Sequence, residues 1–318
     1  DALRAIPREI AGVGRIDTLV VDDGSTDDTV RIARENGARV ISHRLNRGVG
    51  ASFQTGISAA LEAGADLIVN MDSDGQFDPA DIPTLIEPIL RDEADMVTCS
   101  RFAKAEYVPK MPAVKKWGNR MMCRLVNRIC WNSNYTDVSC GFRAYSRETA
   151  MRLTLFGEFT YTQESFIDLL GKGVHIVEIP LRVRGVREFG ASRVASNLWR
   201  YAVRSSSIIV RAARDVRPMA FFGAMGVALL VLGILCGGVV FGWWVATGKT
   251  TPIQSLLTGS AVFLILGFLM FILGLLADML GRRRRLLEQV LLNQQMGRRK
   301  PSNTPAVDDA GSSDAGGE

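Results

Sequence analysis

The sequence predicts an α/β domain, a mostly parallel sheet with helices on both faces, followed by an amphipathic interface helix and a two-helix transmembrane hairpin. Three observations carry this. Short β-branched apolar runs alternate with helix-length segments between Asp1 and Arg101, the pattern of strands joined by crossover helices. Two of those runs end abruptly in acids, at Asp22-Asp23 and at Asp72-Ser73-Asp74. Two further runs, about 219–246 and 256–280, exceed the roughly 20 apolar residues that a bilayer span needs.

Taken in order, Asp1 to Ala11 reads as a helix, with Leu3, Ile6 and Ile10 at helical spacing. Ile16 to Val21 is a strand, and the acidic turn after it leads into a helix from Thr29 to Asn36 closed by Gly37. Arg39 to Ser42 is a second strand. Arg47-Gly48-Val49-Gly50-Ala51 opens a helix that runs to Ala63. Such glycines let a backbone approach a phosphate, but close packing of helix on sheet explains them as well. Asp66 to Met71 is a third strand, Pro79 to Arg91 a helix with proline in its first turn, and Asp95 to Ser100 a fourth strand.

The acids need a reason. Residues two apart on a strand point the same way, so Asp72 and Asp74 converge at a C-terminal strand end, where open α/β sheets bind ligands. Like charges there repel, and a hard divalent cation relieves this. A solvated turn with an aspartate helix cap before Pro79 is the plainer alternative. If the strands carrying Asp22/Asp23 and Asp72/Asp74 are adjacent, both pairs face one crevice. The two histidines, His43 and His175, exclude a histidine-rich metal site, and five cysteines without close pairing read as reduced and structural.

These acids lie in a longer series. Val21-Asp22-Asp23-Gly24-Ser25-Thr26-Asp27-Asp28-Thr29, Asn46-Arg47-Gly48-Val49-Gly50-Ala51, Met71-Asp72-Ser73-Asp74-Gly75-Gln76-Phe77-Asp78-Pro79 and Ser100-Arg101-Phe102 stand in the order and spacing of family-two glycosyltransferases, which the chain resembles. Gly118-Asn119-Arg120, Asp137 to Tyr145 and Arg187 to Arg193 resemble the dolichol-phosphate mannosyltransferase and polyprenyl-phosphate glycosyltransferase branch. The resemblance covers about residues 1–217 and implies the Rossmann-like GT-A fold. It implies that Asp22 and Asp23 serve nucleotide-sugar binding, with Asp23 at the base. Asp72 and Asp74 would hold Mg²⁺ or Mn²⁺, with Asp74 the principal ligand and Gln76 beside them. Arg101, Lys116 and Asn119 would meet the lipid phosphate, and Arg143 would lie at the sugar-binding side. Arg187, Ser192 and Arg193 would belong to a loop closing over the donor phosphates. For any of these cations alone, solvated surface charge is the competing explanation. Glu164 is either a base, an orienter of arginines or a helix cap. Family members begin with an apolar strand ending in a Pro-x-Tyr-Asn-Glu type motif, and Asp1 falls inside the helix after it. The sheet is therefore expected to lack that strand, as in a truncated rather than an inactive protein.

The expected reaction is inverting transfer of one sugar from a GDP-mannose or UDP-glucose type donor to a dolichyl or undecaprenyl phosphate. A lipid phosphate is mostly dianionic near neutrality, so it needs cations to hold it rather than a base. Expected partners are the nucleotide sugar, the lipid and the membrane, with no nucleic acid; a homo-oligomer is compatible.

The expected domains are 1–192 catalytic, 193–217 juxtamembrane, 218–281 transmembrane and 282–318 a basic, then disordered tail. Arg211, Arg214 and Arg217 precede the first span, Arg282 to Arg285 follow the second, and the connecting loop carries only Lys249. By the positive-inside rule, the catalytic domain and both termini face the cytoplasm at the cell membrane. Between Asn197 and Arg214, arginines line one helical face and apolar residues the other, which suits a bilayer surface or packing on the catalytic domain. Leu286 to Gln295 reads as a short separate helix, and 301–318 as disordered. Two alternatives stand beside the transferase: a processive polysaccharide synthase, which needs a Gln-x-x-Arg-Trp motif and more spans, and a non-catalytic membrane adaptor.

Overall fold

The structure, a computed structural model, describes residues 2–109, 111, 113–130, 133–155, 161–184, 214 and 217–297. Among the described residues, six strands and eight α-helices form in the order β1 (Leu19–Asp22), α1 (Thr29–Glu35), β2 (Arg39–Ser42), α2 (Val49–Glu62), β3 (Leu67–Asn70), α3 (Ile82–Leu90), β4 (Met96–Ser100), α4 (Ala113–Ile129), β5 (Arg143–Ser146), α5 (Arg147–Arg152), α6 (Thr162–Gly171), β6 (Ile176–Pro180), α7 (Pro218–Thr247) and α8 (Gln254–Gly297). The four strands expected from apolar runs are present within three residues of their expected ends.

The N-terminal helix is shorter than its periodicity predicts. Only a 3-10 turn, Ala2–Ala5, forms. Pro7 has no N–H to continue the ladder, and Ile6, Ile10 and Val13 pack on the sheet as irregular chain.

β1 and β2 pair in parallel. A second sheet runs β3-β5-β4-β6, with β5 antiparallel to both neighbours and β4 parallel to β6. Among the described strands, β5 is the one that runs against its neighbours. Its four residues, Arg-Ala-Tyr-Ser, carry no apolar alternation that would mark them in advance. β1 and β3 are not hydrogen-bonded neighbours, so the two acidic strand ends do not lie on adjacent paired strands. What joins the sheets is α2, which packs on both β1 and β3.

Side-chain alternation gives the second sheet two covered faces, as expected. Ile68, Met96 and Tyr145 point to one side, among Phe53 and Ile57 of α2, Val126 of α4 and Phe166 of α6. Val97, Cys99 and Ala144 point to the other, among Leu85, Ile86 and Ile89 of α3. β4 is buried along its whole length. Asp78 caps the turn before α3, accepting from Ala80 N at 3.0 Å with Pro79 in the first turn.

α7 and α8 are both long and apolar enough to cross a membrane, and most of their large apolar side chains are exposed. A core helix of a soluble protein would bury them. The two helices meet through glycine. A Cβ on Gly226 would stand 2.9 Å from Gly267 O, and one on Gly233 2.9 Å from Leu264 Cγ. Ser260 Oγ donates to Gly233 O at 2.8 Å. α8 runs through Arg282 to Arg285 without a break, so Leu286 to Gln295 is a continuation of the second span rather than a separate helix. Most of the amphipathic segment 193–217 and all of 301–318 lie outside the described residues.

Candidate active site

β3 ends at Asn70, and the amide of that residue anchors the strand end to two other segments. Asn70 Nδ2 donates to Gly141 O and to Tyr161 Oη, each at 2.7 Å. The Tyr161 ring stacks on Phe53, centroids 4.1 Å apart and 8° from parallel. A Cβ on Gly141 would lie 2.8 Å from Tyr161 Oη and 3.1 Å from Asp72 Oδ2. Glycine is therefore required here, because a methyl group would collide with the phenol and crowd the Asp72 carboxylate. Burial pushes the Tyr161 phenol well above its ordinary pKa, and the Asp72 anion pushes it further. The phenol stays neutral beside the carboxylate.

Asp74 sits just beyond, ahead of the left-handed Gly75, φ 73°. Its Oδ1 accepts from Gln76 N at 3.1 Å. Gln76 in turn is tied to the chain leaving β6: its carbonyl accepts from Arg184 N at 3.0 Å, and its Nε2 donates to Arg184 O at 3.1 Å. Arg187, Ser192 and Arg193 begin three positions beyond that tie and lie outside the described residues.

The first acidic pair is differently employed. Asp22 is buried and accepts from Ser25 N at 3.0 Å. The Ser25 side chain, ahead of the opposing effect of burial, holds its carboxyl below the usual range. Asp23 accepts from His43 Nδ1, Arg47 N and Gly48 N, all at 2.8 Å. Burial opposes its charge, yet the Arg47 N–H, His43 and the Gly48 N–H together lower its pKa. Gly48 has φ 93°, a left-handed value that glycine adopts freely, and this turn delivers its N–H to Asp23.

A third cluster forms around Thr136 and Asp137. Arg101 grips the fully buried Asp137 by both ends, Nε to Oδ2 at 2.6 Å and Nη2 to Oδ1 at 3.0 Å. Burial works against the guanidinium charge, and the Asp137 anion more than offsets it. Glu178 of β6 accepts from Thr136 N and Asp137 N, each at 2.8 Å. Asn119 Nδ2 points to Thr136 O at 3.4 Å. Lys116 is half-buried one helical turn earlier on α4. The structure thus brings Arg101 and Asn119 to one loop, with Lys116 on the adjoining turn.

Arg143, expected at the sugar-binding side, is enclosed between α6 and the loop before β5. It is 0% exposed at the start of β5. Its Nη1 donates to Ser165 Oγ at 2.7 Å and its Nη2 to Val138 O at 3.0 Å, with the Phe166 ring centroid 4.7 Å from the guanidinium carbon. It backs the Tyr161 ring, 6.0 Å away, and so stands behind the Asp72 contact rather than in an open cleft. Glu164 is half-buried in the first turn of α6.

Among the described residues no third carboxylate, histidine or cysteine joins Asp72 and Asp74 in a metal-binding group. Two carboxylates make an all-oxygen donor set, which fits Mg²⁺ or Mn²⁺ with the remaining positions left to water and substrate phosphate. Sequence reasoning missed the supports of this pair: Asn70, Gly141 and Tyr161. Asn70 is legible as an amide closing an apolar strand, and Gly141 lies inside a motif already singled out. Asp137 lies in the same motif, but nothing in the sequence couples it to Arg101.

A glucosyl-3-phosphoglycerate synthase from Mycobacterium tuberculosis, crystallised with Mn²⁺, UDP and glucosyl-3-phosphoglycerate, superposes on this chain with a TM-score of 0.50. The match covers 67% of this chain and 73% of that one at 21% identity, a likeness of fold. The domain is GT-A. The sequence profile of Glycosyl transferase family 2 matches residues 5–154. An uncharacterized protein of Methanocaldococcus jannaschii is 35% identical over 52% of this chain and 68% of its own length. The UDP-N-acetylglucosamine–dolichyl-phosphate N-acetylglucosaminyltransferase of Methanococcus voltae is 30% identical over 52% of this chain and 73% of its own. The undecaprenyl-phosphate mannosyltransferase of Micrococcus luteus is 30% identical over 57% and 77%. The chain belongs to glycosyl transferase family 2.

Proposed function

We propose that this glycosyltransferase moves a single sugar, with inversion, from a nucleotide-sugar donor to a polyprenyl phosphate at the cytoplasmic face of a membrane. The observation that carries the reading is the Asp72/Asp74 pair, held at the end of β3 by Gly141, Tyr161 and the Gln76–Arg184 tie. The relatives from Methanococcus voltae and Micrococcus luteus, which act on dolichyl and undecaprenyl phosphates by name, support the acceptor.

Asp72 and Asp74, with Gln76 alongside, would hold Mg²⁺ or Mn²⁺, which when bound neutralises charge on a departing diphosphate. Asp23 keeps the Arg47–Gly48 turn in place on the nucleotide side. Arg187, Ser192 and Arg193 would serve the donor phosphates, to which the two guanidinium groups would add charge-assisted hydrogen bonds. An acceptor phosphate oxygen attacks the anomeric carbon, the bond from that carbon to the diphosphate oxygen breaks, and the nucleoside diphosphate leaves. The dianionic acceptor needs no base. Arg101, Lys116 and Asn119 orient it, with Arg101 braced by Asp137.

The surface of α4 supports delivery from a bilayer. Trp117, Met121 and Leu125 form an exposed apolar stripe, and exposed Arg120, Arg124 and Arg128 run beside it. The helix holds no acid, and its five Lys and Arg residues equal the chain's formal net charge of +5. Apolar residues interleaved with cations suit an anionic headgroup surface.

The test is a transfer assay with the full chain, Mg²⁺ or Mn²⁺, undecaprenyl phosphate and a panel of labelled GDP-mannose, UDP-glucose and UDP-N-acetylglucosamine. One lipid-linked monosaccharide is expected. No lipid-linked sugar under any combination overturns the reading, and a long polymer replaces it with a synthase.

A further inference from the structure

The second apolar helix does more than cross. Past Leu280, α8 continues as one helix, and eight residues on it presents Glu288. Glu288 Oε1 takes Arg284 Nε at 2.8 Å, while Oε2 stands 3.4 Å from Lys172 Nζ. Lys172 belongs to the catalytic domain. It occupies a socket at the C-terminal end of α6, donating to Thr154 Oγ1 at 2.9 Å, Asp168 Oδ2 at 3.0 Å and the Arg152 carbonyl. Lys172, Asp168 and Glu288 side chains are only 15%, 14% and 25% exposed. This sets the cluster apart from the exposed ion pairs that contribute little.

The other end of α6 is the site. Tyr161, whose phenol accepts from Asn70 at the end of β3 and lies beside Gly141 as Asp72 does, is the N-cap of the helix whose C-cap is Lys172. α6 is therefore a ten-residue strut, about 15 Å long, between the latch and the carboxylate pair. The α8 extension from Leu280 to Glu288 is a second rod of about 12 Å.

We infer that Lys172 and Glu288 are positioning residues that set the height of the catalytic domain above the bilayer, with the α8 extension as the ruler. This rests on the reading of the acceptor as a membrane-embedded polyprenyl phosphate. A phosphate at headgroup level reaches the site only if the domain sits at the right height. Rigid helices joined by a half-buried charge cluster supply that height, where a flexible linker would not.

The test uses the full chain in vesicles of phosphatidylcholine and phosphatidylglycerol. Two acceptors are compared: vesicle-embedded undecaprenyl phosphate and a short, water-soluble prenyl phosphate. Glu288→Lys places two like charges together. Insertion of four alanines after Gly281 lengthens the ruler by about 6 Å with about 40° of rotation. Each is expected to raise the apparent KM for the embedded acceptor about tenfold or more. The KM for nucleotide sugar and the rate with the soluble acceptor should stay within about twofold. Amide hydrogen exchange over residues 168–174 should quicken in Glu288→Lys whether or not sugar is transferred. Equal losses on both acceptors, no loss on either, or unchanged exchange overturn the ruler. A wild-type chain inactive on both acceptors overturns the transferase reading instead, and the exchange result still decides the latch.

Discussion

Two strand ends carry two acids each, and the structure uses them in opposite ways. At the end of β1, Asp22 and Asp23 hold their own loop: Ser25, His43, Arg47 and Gly48 all bond to them. At the end of β3, Asp72 and Asp74 are set against a glycine backbone, a neutral phenol and a turn stitched to Arg184. The first pair spends its charge on backbone N–H groups and a histidine. The second, among the described residues, is set by the close approach of Gly141 and by the Gln76 N–H that Asp74 accepts. Acids at a strand terminus therefore mark a special loop, and their partners show how that loop is held.

The comparison breaks most visibly at Asp74. Asp74→Ala should lower transfer at least about a thousandfold, the scale of losing a principal electrostatic contact in the transition state. Circular dichroism and thermal melting should match the wild type. Retained activity would move the cation away from this pair.

Next comes the brace on the acceptor side. Arg101→Ala strands Asp137 as a buried, unpaired charge and should cost about 3–5 kcal/mol of stability. Chemical denaturation measures it. A stability loss much smaller than this would mean that Asp137 does not depend on Arg101 for its charge partner.

Gly141→Ala forces a methyl group against Tyr161 Oη and Asp72 Oδ2. A fall in kcat of about ten- to a hundredfold is expected, since small misplacements of reacting groups cost on that order. Gly141→Ala combined with Tyr161→Phe removes one collision and should recover part of the loss in steady-state kinetics. No recovery would locate the damage at Asp72 alone.

Asp23→Asn is the smallest change. It weakens the hold on His43, Arg47 and Gly48 and should cost about 1–2 kcal/mol at neutral pH. The sign with pH comes from the lowered carboxyl pKa. The stabilisation is present above the ordinary carboxylate value of about 3.9 and is lost as pH falls through the lower folded value. The gap between wild type and Asp23→Asn in melting temperature should close in acid. A gap that stays constant would mean the anion is not what holds the loop.

Much of the fold was legible because it rests on local patterns. The four early strands and their helices are spelled by apolar runs, by Pro79 and by Gly37, and α7 and α8 by length alone. β5 was not, because Arg143-Ala144-Tyr145-Ser146 becomes a strand through pairing on both sides rather than through its own sequence. The separation of β1 from β3 was also hidden, since strand order is a property of the whole sheet. At the site, the carboxylates announced themselves by type and spacing. Their supports did not, because Gly141 and Tyr161 reach Asp72 across some seventy and ninety positions of chain. Arg143 shows what a motif leaves out: it marks the residue, and only the structure shows the guanidinium buried against Ser165 and Val138.

The glycines between α7 and α8 carry a last consequence. Backbone meets side chain and backbone at Gly226, Gly233 and Gly267 with no room for even one added carbon. Along those positions the two helices are locked side by side, and one added methyl group at any of them must push the pair apart.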